Sequence, residues 1–133
     1  MKYIISHESG ISDYFFCARR QNTLNAASIH SHMEFIFVLD GELTVTADTV
    51  THSVKKGEVM IITPYEVHSY STECFSDIFF IAFPPDYINE HKQLLTRSIF
   101  NPPVTSYNDC CRGIIDDIIG SEMTDDLKKK SLI

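Results

Sequence analysis

His30-Ser31-His32-Met33-Glu34-Phe35-Ile36-Phe37-Val38-Leu39-Asp40-Gly41 is the most informative stretch of this 133-residue sequence. Side chains alternate along a strand, so His30, His32, Glu34, Ile36 and Val38 share one face while Met33, Phe35, Phe37 and Leu39 share the other. The first face carries two imidazoles and a carboxylate at neighbouring positions. Two histidines and one carboxylate on one side suit a divalent metal with open coordination positions, and a solvated polar strand face is the alternative. The second face is wholly apolar, and a soluble monomer does not leave such a patch bare.

Short apolar runs separated by turn residues continue on both sides. Strands are expected over residues 3–6, 13–19, 30–39, 43–47, 50–54, 59–62, 67–71 and 75–83. Asp40-Gly41, Asp48-Thr49, Lys55-Lys56-Gly57 and Thr63-Pro64 lie between them and supply the backbone conformations that reversals need. So many short strands at such close spacing predict a mainly β sandwich or barrel over residues 1–83.

The chain changes character after Phe83-Pro84-Pro85, and residues 84–133 read as a C-terminal helical extension. Asp86 is placed to cap a short helix through about Leu95, and Asn101-Pro102-Pro103 breaks the chain again. From Ser106 onward Cys111, Ile114, Ile115, Ile118, Ile119 and Met123 recur at helical steps, with Asp109, Arg112, Asp116 and Asp117 on the other side. Gly120-Ser121 is expected to kink or end that helix, with Ser121 capping a second one. The isoleucine stripe is the natural cover for the apolar face of the 30–39 strand. Because the isoleucine pairs make a stripe wider than one narrow seam, one edge is expected to meet the barrel and another a second subunit.

Composition bounds the function. Eleven Lys and Arg against 18 Asp and Glu give a formal net charge of -7, which repels a phosphate backbone and argues against DNA binding by this chain itself. The hydrophobic share of 44% and charged share of 22% are those of a packed globular domain. No apolar run reaches the roughly 20 residues of a membrane span. Four cysteines without CxxC spacing, and no apolar leader, fit a reduced cytoplasmic setting.

Two stretches carry a family resemblance. His30 to Gly41 resembles the first signature of the cupin superfamily, an HxH followed by Glu and then Gly. Gly57-Glu58-Val59-Met60-Ile61-Ile62-Thr63-Pro64-Tyr65-Glu66-Val67-His68 resembles the second, in the form found in the effector-binding domain of AraC-type transcriptional regulators. The resemblance runs from about Ser28 to the C-terminal helices. It implies a double-stranded β-helix, a jelly-roll barrel followed by C-terminal α-helices, with a small-molecule effector in the barrel and no catalysis.

The same resemblance implies that His30, His32, Glu34 and His68 face the pocket as ligand-binding groups, and that the same four hold any divalent metal such as zinc, nickel, manganese or iron. No cofactor is otherwise expected. Ile114, Ile115, Ile118 and Ile119 are expected at a homodimer interface. DNA would be met only through a separate helix-turn-helix domain beyond Ile133, the present chain being the sensing portion. A free-standing metal cupin acting as an oxygenase, isomerase or lyase is the alternative.

The register is open at the sequence level. Anchoring Glu34 by its six-residue spacing to Gly41 puts the histidine pair of the signature at Ser28 and His30. Anchoring on His30 and His32 moves the carboxylate position near Ile36. Outside the signatures, His7, His52 and His91 read as surface or core histidines. Tyr3, Tyr14, Phe16 and Tyr70 are strand aromatics able to line a barrel. Cys110-Cys111 reads as helix packing, and Arg19-Arg20 as strand-end charges within reach of an anionic effector.

Overall fold

The computed structural model describes residues 4–5, 16–84 and 103–124. Nine strands and one helix occupy them. These are β1 (Ile4–Ile5), β2 (Phe16–Gln21), β3 (Asn25–Ile29), β4 (Met33–Ala47), β5 (Val50–Lys55), β6 (Glu58–Ile62), β7 (His68–Ser71), β8 (Ser76–Phe83), β9 (Val104–Ser106) and α1 (Asp109–Thr124). The expected short helix after Asp86 and the residues beyond Thr124 lie outside the described region.

β4 organises the barrel because it belongs to two sheets. Its first half pairs antiparallel with β6 and β8, which extend to β9 and β2; its second half pairs with β5 and β7, and β7 leads to β3 and β1. The inner sides of both sheets bury Ile36, Val38, Leu43, Val45, Met60, Ile62 and Ile78 in one core. The expected jelly-roll barrel is therefore present.

The passage of β4 between sheets corrects one expectation. Asp40-Gly41 is not a reversal between two strands: it is a bend within a single strand of 15 residues. The register against β8 slips between Val38 and Asp40, and Gly41 takes φ +73°. A Cβ on Gly41 would stand 2.1 Å from the Phe75 carbonyl oxygen, which accepts the Glu42 N–H at 2.9 Å. Glycine is thus required here by close backbone approach as well as by φ. The Asp48-Thr49 reversal does form, with φ of 46° and 74°, between β4 and β5.

Two strands were absent from the sequence expectation. β3 (Asn25–Ile29) is only partly buried and polar, so its apolar pattern is weak. β9 follows a Pro-Pro pair and is three residues long; it joins the barrel sheet by pairing with β6.

α1 begins at Asp109 rather than Ser106, where Asn108 caps it by accepting the Cys111 N–H at 2.9 Å. It runs through Gly120-Ser121 without ending there, contrary to the expected break. Ile115 and Ile119 are buried against Phe37, Leu39, Val59 and Phe79 on the outer face of the barrel, with Cys111 and Ile118 packed around them. The outer face of β4 is therefore covered by the isoleucine stripe, as expected for Phe35, Phe37 and Leu39; Met33 is buried but joins neither core cluster. Each buried isoleucine contributes roughly 1.5–3 kcal/mol. Arg112 donates to the Leu39 carbonyl at 3.2 Å and the Tyr107 hydroxyl to the Val38 carbonyl at 2.7 Å, so the helix is pinned beside the bend of β4. Ile114 stays 57% exposed.

Candidate functional site

His30, Glu34 and His68 converge inside the barrel, with one potential donor atom from each lying within 4.8 Å of the others. Glu34 comes from the start of β4, opposite Ile62 of β6 and Ala82 of β8. His68 opens β7, opposite Ser28 of β3 and Ala47 of β4. His30 and His32 do not lie in the strand with Glu34 as expected, because β4 starts at Met33. A bend at Ser31-His32 precedes it, held where the His30 carbonyl accepts the Tyr65 N–H at 2.7 Å. His30 reaches the site through this bend.

Hydrogen bonding assigns the tautomers. His68 Nδ1 lies 2.8 Å from the Glu66 carbonyl, which only accepts, so Nδ1 carries the hydrogen and Nε2 turns toward Glu34 Oε2 at 3.8 Å. His30 Nδ1 accepts the His32 N–H at 3.3 Å, so its Nε2–H donates to Glu34 Oε2 at 3.2 Å. The other carboxylate oxygen accepts the Tyr70 hydroxyl. Neutral His68 thereby sets one lone pair against a carboxylate oxygen. A proton, a cation or a ligand hydroxyl is the chemistry that fits between two such acceptors.

The ionisation states follow from burial and partners. Burial drives the Glu34 pKa upward, but the His30 hydrogen bond, the nearby His68 and the Tyr70 hydroxyl outweigh it and hold the group below the usual 4.5. Burial lowers the His68 pKa below 6.5, against the opposing pull of Glu34. Tyr70 is pushed well above 10.0 by burial and then by Glu34, so it stays a neutral donor.

Acid sensitivity follows. A histidine whose folded pKa is depressed binds its proton in the unfolded chain first, so stability is full above pH 6.5 and falls as pH drops through the window below it. Glu34 adds a second loss below 4.5. Urea unfolding of metal-free protein is expected to show both declines, and His68→Gln to remove the upper one; an unchanged upper decline in that variant would assign it to another group.

The fit to a metal can be judged from the donors. Glu34, His68 and His30 offer a carboxylate and two imidazoles, a set suited to zinc, iron, manganese or nickel, provided His30 moves its hydrogen from Nε2 to Nδ1. His32 stands apart from this trio: its ring lies 5.7 Å from that of His30, and its buried Nε2 has no hydrogen-bond partner among the described residues. Of the two sequence registers, the structure follows the one anchored on Glu34, with Ser28 at the first histidine position.

Other residues sort accordingly. Tyr70 belongs to the site through its hydroxyl, which strand aromaticity alone did not distinguish from packing. The Glu66 carboxylate is held by Thr63, accepting its N–H at 3.1 Å and hydroxyl at 3.3 Å. His52 sits on β5 opposite Val45, away from the site; His7, His91, Tyr3 and Tyr14 lie outside the described residues. Cys110 is exposed and Cys111 lies in the helix–barrel contact. A cleft of about 210 Å³ is lined by His68 together with Ala27, Thr46, Val67 and Ser69. No helix among the described residues is long and apolar enough to cross a membrane.

Residues 21–74, which hold both signatures, match the Cupin_2 family model, described as the cupin domain. The barrel has the cupin fold. Its fold is similar to the cupin domain of Cnp3 from Schizosaccharomyces pombe, with a TM-score of 0.50, 14% identity, and 59% of this chain matched to 62% of that one. The EutQ protein of Clostridium difficile matches at TM-score 0.47 and 19% identity over 53% of this chain and 56% of its own. A putative ethanolamine utilization protein Q from Salmonella typhimurium matches at TM-score 0.46 and 23% identity over 61% and 65%. Each of these alignments spans less than two thirds of the relative's length. No curated protein matches the sequence. The likeness is one of cupin fold.

Proposed function

We propose that this cupin barrel is the effector-sensing and dimerisation domain of an AraC-type transcriptional regulator, cytoplasmic and without catalysis of its own. The observation that carries the reading is the buried His30–Glu34–His68–Tyr70 cluster. A core needs no such group for packing, and burying a carboxylate is costly unless it is hydrogen-bonded. The cluster suits a small polar effector, whose hydroxyl or other donor fits between His68 and Glu34. His32, whose buried Nε2 has no partner among the described residues, supplies a further contact.

The helix supports the regulatory half of the reading. α1 covers the outside of β4, the strand that carries Glu34 inside; its Arg112 is tied to the Leu39 carbonyl, and Tyr107 just before it to the Val38 carbonyl. An effector that prefers one setting of β4 would bias the helix with it. Ile115 and Ile119 are spent on the barrel, with Ile118 partly so, which leaves Ile114 as the isoleucine for a partner subunit. DNA contact would belong to a separate helix-turn-helix unit.

The test is a fusion of this chain to a DNA-binding domain that occupies its operator only as a dimer. Repression of a reporter is expected from the wild type and not from Ile114→Asp. Small-molecule extracts that shift the wild-type response should leave His68→Ala unmoved. A fusion that never represses at any expression level would overturn the reading. The second reading is a metal-dependent cupin, favoured by the three donor atoms within 4.8 Å; there His30, Glu34 and His68 would hold the ion, which would supply Lewis-acid or redox chemistry.

A further inference from the structure

Arg19 and Arg20 are adjacent in sequence but opposite in circumstance. Arg19 lies on the outer side of β2 and grips Asp77 through two nitrogens, Nε at 2.9 Å and Nη2 at 2.5 Å. Its charge is neutralised there. Arg20 has the inward parity of β2 shared with Phe16 and Ala18, and its guanidinium carbon lies 5.9 Å from the centre of the Phe80 ring. Among the described residues its one hydrogen bond goes to the Arg19 carbonyl at 2.9 Å and no carboxylate meets it. In a chain of net charge -7, Arg20 is an exposed cation on the inward parity of β2.

Phe80 is where Arg20 and the polar cluster meet. It stands opposite Ile36 of β4 and packs against the inner core, while Glu34 lies one inward position along β4. Phe16 packs on Phe80 at 5.7 Å between ring centres. Phe16, Phe80 and Ala82 are only partly buried, in contrast to Ile36, Val38 and Met60 deeper in the barrel. The inward parity of β2 and β8 thus carries the partly buried rings of Phe16 and Phe80, with Arg20 beside Phe80 and Glu34 of the histidine–carboxylate cluster paired across from Ala82.

We propose that Arg20 is the anion-recognition residue of the effector site, and that the effector is a small organic carboxylate with a flat apolar body and a hydroxyl. Its carboxylate takes the Arg20 fork, its body lies on Phe80, and its hydroxyl reaches toward His68 and Glu34. Guanidinium is suited to this role because it stacks on a ring and binds a carboxylate with two parallel hydrogen bonds. The proposal rests on the reading of the polar cluster as the effector site.

The probe is para-hydroxybenzoate, titrated by ligand-observed NMR beside its neutral analogue para-hydroxybenzamide. Benzoate is expected to bind the wild type at least about tenfold more tightly than the amide, and Arg20→Gln to erase that preference while Arg20→Lys keeps part of it. Equal binding of acid and amide to the wild type, undiminished acid binding to Arg20→Gln, or no saturable acid binding would overturn the proposal. A His68→Ala arm separates it from the underlying reading. Weakening by His68→Ala alone removes Arg20 and leaves the cluster as effector site; weakening by Arg20→Gln alone keeps Arg20 and removes the cluster.

Discussion

Gly41→Ala is expected to destabilise the protein by about 3–5 kcal/mol, enough to unfold a domain of ordinary marginal stability. Two costs add. A left-handed φ of +73° costs an alanine roughly 1–2 kcal/mol. The larger part is steric, because the new methyl would sit 2.1 Å from the Phe75 carbonyl oxygen. That oxygen cannot retreat freely, since it accepts the Glu42 N–H at 2.9 Å, while the Gly41 carbonyl accepts the Lys56 N–H at 3.1 Å. Moving either segment disturbs the point where β4 passes between the sheets.

Gly57→Ala isolates the conformational share. Gly57 has φ +85°, yet nothing lies within 4 Å of a Cβ built there. Its substitution should cost only about 1 kcal/mol. Urea midpoints for the two variants give the comparison, and similar values for both would refute the steric account.

Gly41 also shows where sequence reading succeeds and where it stops. An Asp-Gly pair announces φ > 0, and the structure has φ > 0 there. Whether the chain then folds back or merely bends depends on a carbonyl 34 residues away in sequence, at Phe75, and no local pattern carries that information. The apolar outer face of β4 and its isoleucine cover were legible because alternation at Phe35, Phe37 and Leu39 and the helical steps from Ile115 to Ile119 are periodic signals. β3 and β9 were not: Asn25–Ile29 is half-solvated and Val104–Ser106 is too short for a period to register. Their strand character comes from pairing with β7 and β6.

The site was legible in part for a related reason. His30, Glu34 and His68 come together as the signatures implied. Parity placed His30 and His32 equivalently, but the bend before Met33 does not, and a hydrogen bond from Tyr65 that holds it is a tertiary fact. Tyr70 lacked any marker in the sequence separating a packed ring from a hydroxyl aimed at Glu34. Arg19 and Arg20 differ only by strand parity, and their roles diverge because Asp77 stands on one side of β2 and Phe80 on the other.

Glu34→Ala is expected to cost about 3–5 kcal/mol, because it removes the acceptor that the buried site is arranged around. The His30 Nε2–H and the Tyr70 hydroxyl lose their partner together, and His30 cannot compensate by exchanging tautomers while its Nδ1 holds the His32 N–H. Glu34→Gln separates shape from charge. The amide oxygen can still accept from Tyr70, but its NH2 then meets the His30 Nε2–H, donor against donor. Relief of carboxylate burial offsets some of that loss, so about 1–2 kcal/mol is expected. The order of stability should be wild type, then Glu34→Gln, then Glu34→Ala, read from urea unfolding of metal-free protein near neutral pH. Repeating the series with zinc adds an independent readout. A bound ion stabilises the folded state by mass action, so an increase in the wild-type midpoint that disappears in both variants would place the ion on the Glu34 carboxylate. An increase retained in Glu34→Gln would place it elsewhere, and a Glu34→Ala protein as stable as the wild type would mean that the carboxylate does not hold the cluster together.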